Sequence, residues 1–342
     1  MFLSGGGLNQ LADTAQPAGQ QPAAWTMPSG AAWPATPTPS TTAAAAPAAP
    51  PAYPTPTAPP LAPGPTITIA SFNIQDFGQA KSGREHIMLT LAAIVRRFDL
   101  VAVQEISSQD PQFVANFVNL INQPPRAGQP GRRYDFIVGP RVGNGTAKEQ
   151  FAYIFNTDTI LCDRSSAFTV GDPNNLLSRE PFVASFATRA PPDVAFTFTL
   201  INVHTDPEPA SVLRVELDAL AEVYRVVRRT PRNEDDVIML GDFNADDRHL
   251  GRLGQIPGIW PLIRNVFTNT RQNKLYDNII MHQLSTTEFV NSGVFDVMRD
   301  LGVNMSQTDA LEVSDHFPVW AAFSVYEKDA YGNVASRRGM VR

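Results

Sequence analysis

The sequence predicts an α/β (α+β) fold: a four-layer sandwich of two packed, mostly antiparallel sheets flanked by helices. Three observations lead there. Apolar or alternating runs of strand length recur along the chain, too many for one small sheet. Three longer stretches carry apolar residues at helical spacing, and no internal repeat is visible. Short strand-to-strand connections favour antiparallel neighbours, and amphipathic helices need a sheet face to cover.

Residues 1–65 hold 15 of the 30 prolines and a single charged side chain, Asp13. Such a segment buries too little apolar surface to offset the entropy of ordering it, so a disordered, partly polyproline-like tether is expected. The ordered domain is expected over residues 66–326. Residues 66–73 alternate as a strand does and close on Asn73. Residues 84–98 place Ile87, Leu91, Ile94, Val95 and Phe98 on one helical face. Residues 99–105 form a buried strand ending on Glu105. Asp110 followed by Pro111 predicts an N-cap and first helical residue, with the helix running to about Asn122. Residues 123–148 surround a short strand at 134–138. They carry Arg126, Arg132, Arg133, Arg141 and Lys148 against Asp135 alone, the most basic stretch of the chain.

Strands follow at 151–155, 182–187 and 194–204. Residues 208–229 form a long amphipathic helix with Leu213, Leu217, Leu220 and Tyr224 inward. The run Val237, Ile238, Met239, Leu240 predicts a buried strand that ends in a tight turn at Gly241. Asp242 and Asn244, two residues apart, would face one side if the chain stays extended. Further strands are expected at 276–280 and 317–325, and residues 327–342 are expected to form a disordered polar tail.

At 342 residues and 43% hydrophobic content, the chain can bury a large core. A formal net charge of −6 argues against holding a polyanion by bulk charge. It leaves room for a site where carboxylates bind a metal and a local basic patch holds phosphates. Cys162 is the single cysteine, so no intramolecular disulfide can form, and no Cys–His spacing suggests structural zinc. There is no Gly-rich phosphate loop and no G-x-S-x-G elbow. No apolar run reaches the ~18 residues of a membrane span, and no secretory signal is visible. The tether and the near-absence of cysteine slightly favour a secreted or envelope-tethered protein. A monomer is expected.

Chemistry concentrates at the strand ends. They carry Asn73, Glu105, Glu149 (just before its strand), His204, Asp242 with Asn244, Asp277, and Asp315 with His316. Carboxylates and amides bind hard divalent cations. Two imidazoles supply acid and base groups near neutral pH, and Glu149 and Asp277 are available to fix their tautomers. Taken singly, each residue has a bland reading as a turn residue, a solvated strand end or a satisfied core histidine. All the bland readings would have to hold at once.

The stretches Ser71-Phe-Asn-Ile-Gln-Asp-Phe-Gly78, Val103-Gln-Glu-Ile106, Lys148-Glu-Gln-Phe151, Ser178-Arg-Glu-Pro181, Val203-His204, Gly241-Asp-Phe-Asn-Ala245, Leu275-Tyr-Asp-Asn-Ile279 and Ser314-Asp-His-Phe-Pro318 occur in this order. In these stretches the chain resembles the endonuclease/exonuclease/phosphatase superfamily, and within it the deoxyribonuclease I-like branch. The resemblance implies a metal-dependent DNA endonuclease that attacks a phosphodiester in line with water and leaves 5′-phosphate and 3′-hydroxyl ends. Glu105 would hold Mg2+ or Mn2+, with Asn73, Asp242 and Asp315 beside it as ligands or phosphate-orienting groups. His204 with Glu149 and His316 with Asp277 would be the acid/base pairs. Asn244 would donate to the scissile phosphate and Arg179 would reach a backbone phosphate.

Some positions depart from the branch. Ser107 and Ala147 stand where it carries an arginine and a tyrosine for the minor groove, which implies weaker groove contacts. Asp246–Asp247 and Asn273–Lys274 stand where paired cysteines are found. The acids of the structural calcium sites are not placed, which puts calcium dependence in doubt. Arg132 and Arg133 are expected to supply replacement phosphate contacts. Two alternatives are a phosphoesterase acting on a sphingolipid or inositol headgroup and a non-catalytic binding module. The module reading is disfavoured because no core acid or histidine is lost.

Overall fold

The computed structural model of the protein describes residues 64–124, 131–144, 148–229, 234–329 and 332–335. The tether (apart from Gly64 and Pro65), Arg126, Ala147 and residues 336–342 lie outside them. The strands are β1 (Thr66–Phe77), β2 (Leu100–Ile106), β3 (Tyr134–Val138), β4 (Gln150–Asn156), β5 (Ile160–Thr169) and β6 (Phe182–Thr188). They continue with β7 (Thr197–His204), β8 (Val237–Asp242), β9 (Ile259–Pro261), β10 (Asp277–His282), β11 (Phe289–Val294) and β12 (Val319–Ser324). The helices are α1 (Gln79–Ser82), α2 (Glu85–Val95), α3 (Phe113–Asn122), α4 (Ala210–Arg229), α5 (Val297–Asp300) and α6 (Gln307–Val313).

Two six-stranded sheets result, ordered β11-β12-β1-β2-β4-β3 and β5-β6-β7-β8-β10-β9. Each is mixed, with one parallel pair at its centre, β1/β2 in the first and β7/β8 in the second. The other neighbours are antiparallel. The predicted sandwich is therefore present, and its antiparallel majority holds in both sheets.

Alternation along the strands sets the layers. Ile67, Ile69, Leu100 and Ala102 of the first sheet meet Phe198, Leu200, Ile238 and Leu240 of the second in the central core. The outward residues Phe72, Ile74, Val101 and Val103 pack under α2 and α3, against Ile87, Leu91, Phe113 and Phe117. On the other side Ile201, Val203 and Met239 pack under α4, against Leu217, Leu220 and Tyr224. At ~25 cal/mol per Å² of apolar area, these three layers supply the main drive to fold.

Local details differ from the sequence reading. The helix expected from Pro111 begins at Phe113, because Asp110 Oδ1 accepts the Gln112 N–H at 2.9 Å and holds a preceding turn. Gly241 lies inside β8 rather than in a turn. There a Cβ would stand 1.9 Å from the Val203 carbonyl oxygen, so the close approach of β7 is what requires glycine. Residues expected in the terminal tail are partly packed: Glu327 is buried, its N–H donates to Val194 O at 2.9 Å, and Lys328 bridges to Val334. No helix among the described residues is long and apolar enough to cross a membrane.

Candidate active site

The topology gathers the polar strand ends. In a parallel pair, both C-terminal ends lie on one side. This brings Asn73 of β1 beside the end of β2, and His204 of β7 into register with Asp242 of β8. Antiparallel neighbours present their N-terminal ends there. Asp277 opens β10 opposite Asp242, and Glu149 immediately precedes β4. The loop before β12 brings in Asp315 and His316. The result is a cleft of about 470 Å³ lined by Glu105, Glu149, Arg179, His204, Asp242, Asn244, Asp315 and His316, among others.

Two imidazoles stand in this cleft, each backed by an acid. His204 Nδ1 lies 2.9 Å from Glu149 Oε1, and His316 Nδ1 lies 2.8 Å from Asp277 Oδ2. Their Nε2 atoms converge on one atom, Asp242 Oδ2, at 3.7 Å from His204 and 3.6 Å from His316. Thr268 Oγ1 donates to Asp277 Oδ2 at 2.7 Å and holds that carboxylate in place. Asn73 crosses between the sheets: its Nδ2 donates to Glu105 Oε1 at 2.8 Å and to Asp242 Oδ2 at 3.0 Å.

A sequence profile of the Endonuclease/Exonuclease/phosphatase family matches residues 70–316, a span that holds every one of these groups. The chain belongs to the endonuclease/exonuclease/phosphatase family. Relatives include deoxyribonuclease gamma of Rattus norvegicus, 29% identical over 284 residues, covering 78% of this chain and 87% of the relative. Deoxyribonuclease-1-like 1 of Sus scrofa is 32% identical over 262 residues, covering 73% and 79%. Among solved structures, a family protein from Bacteroides thetaiotaomicron aligns with a TM-score of 0.52 at 18% identity, over 75% of this chain and 97% of that one. A mannosyl-6-phosphatase from the same organism aligns with a TM-score of 0.51 at 19% identity, over 75% and 98%. At these identities the structural likenesses speak to the fold alone.

The donor set of this family member fits a hard divalent cation. Asn73 Oδ1 is buried with no hydrogen-bond partner, and so is Asp315 Oδ1, while Glu105 and Asp242 supply further oxygens beside Asn73. Oxygen donors left unpartnered beside acids suit such an ion, and a soft-metal sulfur ligand is absent from the lining. The charges of the protein alone already bias the imidazoles. Burial would lower His204, but the Glu149 carboxylate and its hydrogen bond outweigh that and raise it above its usual range. Burial likewise opposes protonation of His316, yet Asp277 and Asp242 push it up to about 10. Burial alone would raise Glu149, but His204 and Arg179 hold it below the usual carboxylate range.

The remaining predicted site residues fall in two places. Asn244 lines the cleft, although the chain is not extended there. Its φ is 47°, and its N–H donates to Asp242 Oδ1 at 2.9 Å. One amide proton of Asn244 goes to Thr205 O at 2.8 Å, which leaves the other for a ligand. Arg179 lines the cleft and pairs through Nε with Glu149 Oε2 at 2.9 Å, and its Nη1 has no hydrogen-bond partner.

Arg132 and Arg133 are not at the cleft. They precede the Tyr134 end of β3, which is in register with Asn156, at the far end of β4 from Glu149. Arg133 pairs there with Asp158. The basic run is divided because β3 carries its two ends to opposite ends of the sheet. Arg141, from the other half, donates to Ser108 O at 2.6 Å, and Lys148 lines the cleft.

Several contributing residues are not singled out by the sequence. Glu216 on α4 is buried and accepts the N–H groups of Ser178 at 2.5 Å and Asp206 at 2.6 Å, fixing the loops that carry Arg179 and Thr205. Lys81 is buried, donates to Val313 O at 2.8 Å and Gln75 O at 2.5 Å, and is pushed down to about 8 by burial. It ties the end of β1 to the segment before Asp315. A charged residue at a buried position of a short helix leaves little periodic signal.

Proposed function

We propose that this chain is a monomeric, divalent-metal-dependent endonuclease that hydrolyses DNA phosphodiesters to 5′-phosphate and 3′-hydroxyl ends. The observation that carries the reading is the convergence of two carboxylate-backed imidazoles on Asp242 Oδ2. In-line displacement at phosphorus requires a proton taken from water on one side and a proton given to the leaving oxygen on the other. With Nδ1 of each ring tied to a carboxylate, Nε2 faces the cleft. One imidazole, neutral at Nε2, takes the water proton. The other, protonated, gives its proton to the departing 3′-oxygen. Glu149 and Asp277 hold the rings in orientation and stabilise their charged forms.

Asn244 donates its second amide proton to a phosphoryl oxygen, and the part-exposed guanidinium of Arg179 reaches a neighbouring phosphate. Asn73, Glu105, Asp242 and Asp315 would hold Mg2+ or Mn2+, which when bound adds charge stabilisation at the phosphoryl oxygens. The deoxyribonuclease names of relatives at 29% and 32% identity support DNA as substrate.

The test is to incubate purified protein with supercoiled plasmid, single-stranded DNA, RNA and sphingomyelin, each with magnesium, manganese or chelator. Plasmid nicking that needs the metal and leaves ligatable 5′-phosphate ends is expected. An intact plasmid beside cleaved RNA or sphingomyelin would overturn the substrate assignment.

A further inference from the structure

A second group of acids lies far from the cleft. Asp236 immediately precedes β8, Glu288 immediately precedes β11, and Glu327 follows β12. Asp236 and Glu288 are fully buried and Glu327 is 5% exposed. One carboxylate oxygen from each comes within 4.8 Å of the other two. Neither oxygen of the Asp236 carboxylate has a hydrogen-bond partner, and Glu288 Oε2 has none. Lys328 N–H donates to Glu288 Oε1 at 2.6 Å, Thr287 Oγ1 donates to the same oxygen at 3.4 Å, and Thr197 N–H reaches Glu327 Oε2 at 3.5 Å.

The charges acting most strongly on Asp236 are those of Glu288, Glu234, Glu327 and Asp235, all of one sign. Buried carboxylates are normally paired or bound to a metal, because an isolated one is far better solvated by water. Asp236 brings one carboxylate oxygen into the acid group and has no hydrogen-bond partner for either.

We propose that Asp236, Glu288 and Glu327 form a structural site for a divalent cation of calcium's size and ligand number. Six residue steps along β8 separate Asp236 from Asp242, so the site lies about 20 Å from the cleft. The donors are hard oxygens. Calcium takes six to eight of these directly, whereas magnesium keeps several waters, for which a site closed to solvent has little room. Asp236 belongs to the β8 sheet, and Glu288 and Glu327 flank strands of the other. The ion therefore joins the two sheets at the end opposite the cleft, where it stabilises the fold and takes no part in chemistry.

The experiment uses the full chain with Glu105→Gln, which weakens the cleft as a competing cation site. Thermal melting of the chelator-treated protein is followed as calcium or magnesium is added, with the number of bound ions measured by terbium luminescence. A saturable rise in Tm of about 5–10 °C is expected at calcium a hundredfold above its Kd, with a smaller rise in equal magnesium and one distal ion per chain.

Adding Asp236→Asn with Glu288→Gln should abolish the calcium rise. In chelator, these variants should melt no lower than their parent, since neutral amides relieve the repulsion. No calcium rise in the parent, a rise that survives loss of both acids, or no distal ion by terbium would overturn the site. An equal rise with magnesium would overturn its assignment to calcium.

Discussion

Replacing Glu149 by glutamine separates the chemical role of this carboxylate from its structural one. Glu149 is 6% exposed and bridges two cationic partners, His204 Nδ1 at 2.9 Å and Arg179 Nε at 2.9 Å. Glutamine keeps the shape and loses the charge. Its amide can offer oxygen to only one of the two donors, so its NH2 then faces the other. Removing one partner of a fully buried ion pair costs about 3–5 kcal/mol. The Arg179 side chain is 18% exposed and recovers part of that from water. The expected cost is about 2–3 kcal/mol, a fall in Tm of about 5–10 °C for a domain of this size.

Activity should fall further than stability accounts for. His204 loses the charge that holds its imidazolium, and plasmid nicking measured well below the Tm should drop about 10²-fold or more. Adding Arg179→Met removes the stranded cation, so the double variant should regain most of the lost Tm and remain slow. Nicking within about threefold of the parent for Glu149→Gln would refute the assignment. So would a double variant that regains activity along with stability.

Other outcomes follow from the same geometry. In metal-free protein the His316 ring should stay protonated well past neutrality, because Asp277 and Asp242 push it up to about 10, and an NMR titration would show this directly. A folded-state value raised above the ordinary one stabilises the fold fully below about pH 6.5, and this contribution is lost as pH rises through about 10. Asp277→Asn should bring the His316 titration down, and an unmoved titration would count against the pairing. Lys148→Gln should weaken DNA binding and reduce its salt slope by about 1, whereas Arg132→Gln with Arg133→Gln should leave both unchanged. The reverse pattern would place the DNA path along the Tyr134 end of β3. Gly241→Ala should cost more than about 4 kcal/mol in urea unfolding, since its Cβ would stand 1.9 Å from Val203 O. Gly302→Ala, with positive φ but open space around it, should cost only about 1–2 kcal/mol.

The sequence makes the interior strands and the edge strand β3 legible and hides the other three edges. β5, β9 and β11 were not anticipated, and all three lie at or beside a sheet margin: β5 and β9 end one sheet and β11 ends the other. β11 is half-buried or exposed at every position, and β5 is buried at only two of its ten, so neither carries the apolar run that marks β8. The helices α1 and α5, of four residues each, are too short for periodicity to register. The site was more legible than the edges because its residues are strand termini, and the central strands that carry them are strongly apolar. The arginines at 132 and 133 stand apart from the cleft: charge is counted along the chain, whereas β3 intervenes in space.

The same alternation explains why the cleft lies at one end and where the pattern must break. Inward-facing residues run Ile67, Ile69, Ser71, Asn73 along β1 and Phe198, Leu200, Asn202, His204 along β7, so each row passes from apolar to polar toward the cleft. Between oil and acid stands a layer of buried amides. Gln104 Nε2 donates to Asn202 Oδ1 at 2.6 Å across the sheets, and to Ser71 Oγ at 3.1 Å. These bonds satisfy groups that would otherwise be costly in the core.

Glu105 breaks the alternation. Its neighbour Gln104 already occupies the inward position, so a regular strand would turn Glu105 away. Instead Glu105 takes φ 61°, and the pairing of β2 slips on both sides, between Asn73 and Phe77 and between Val103 and Ile106. A left-handed non-glycine residue costs of order 1–3 kcal/mol and persists only where its surroundings enforce it. Here the surroundings are Asn73 Nδ2 and the Asp76 N–H, each 2.8 Å from a Glu105 oxygen. The local strain therefore falls on the carboxylate proposed to hold the metal, and a bulge re-aims it into the cleft.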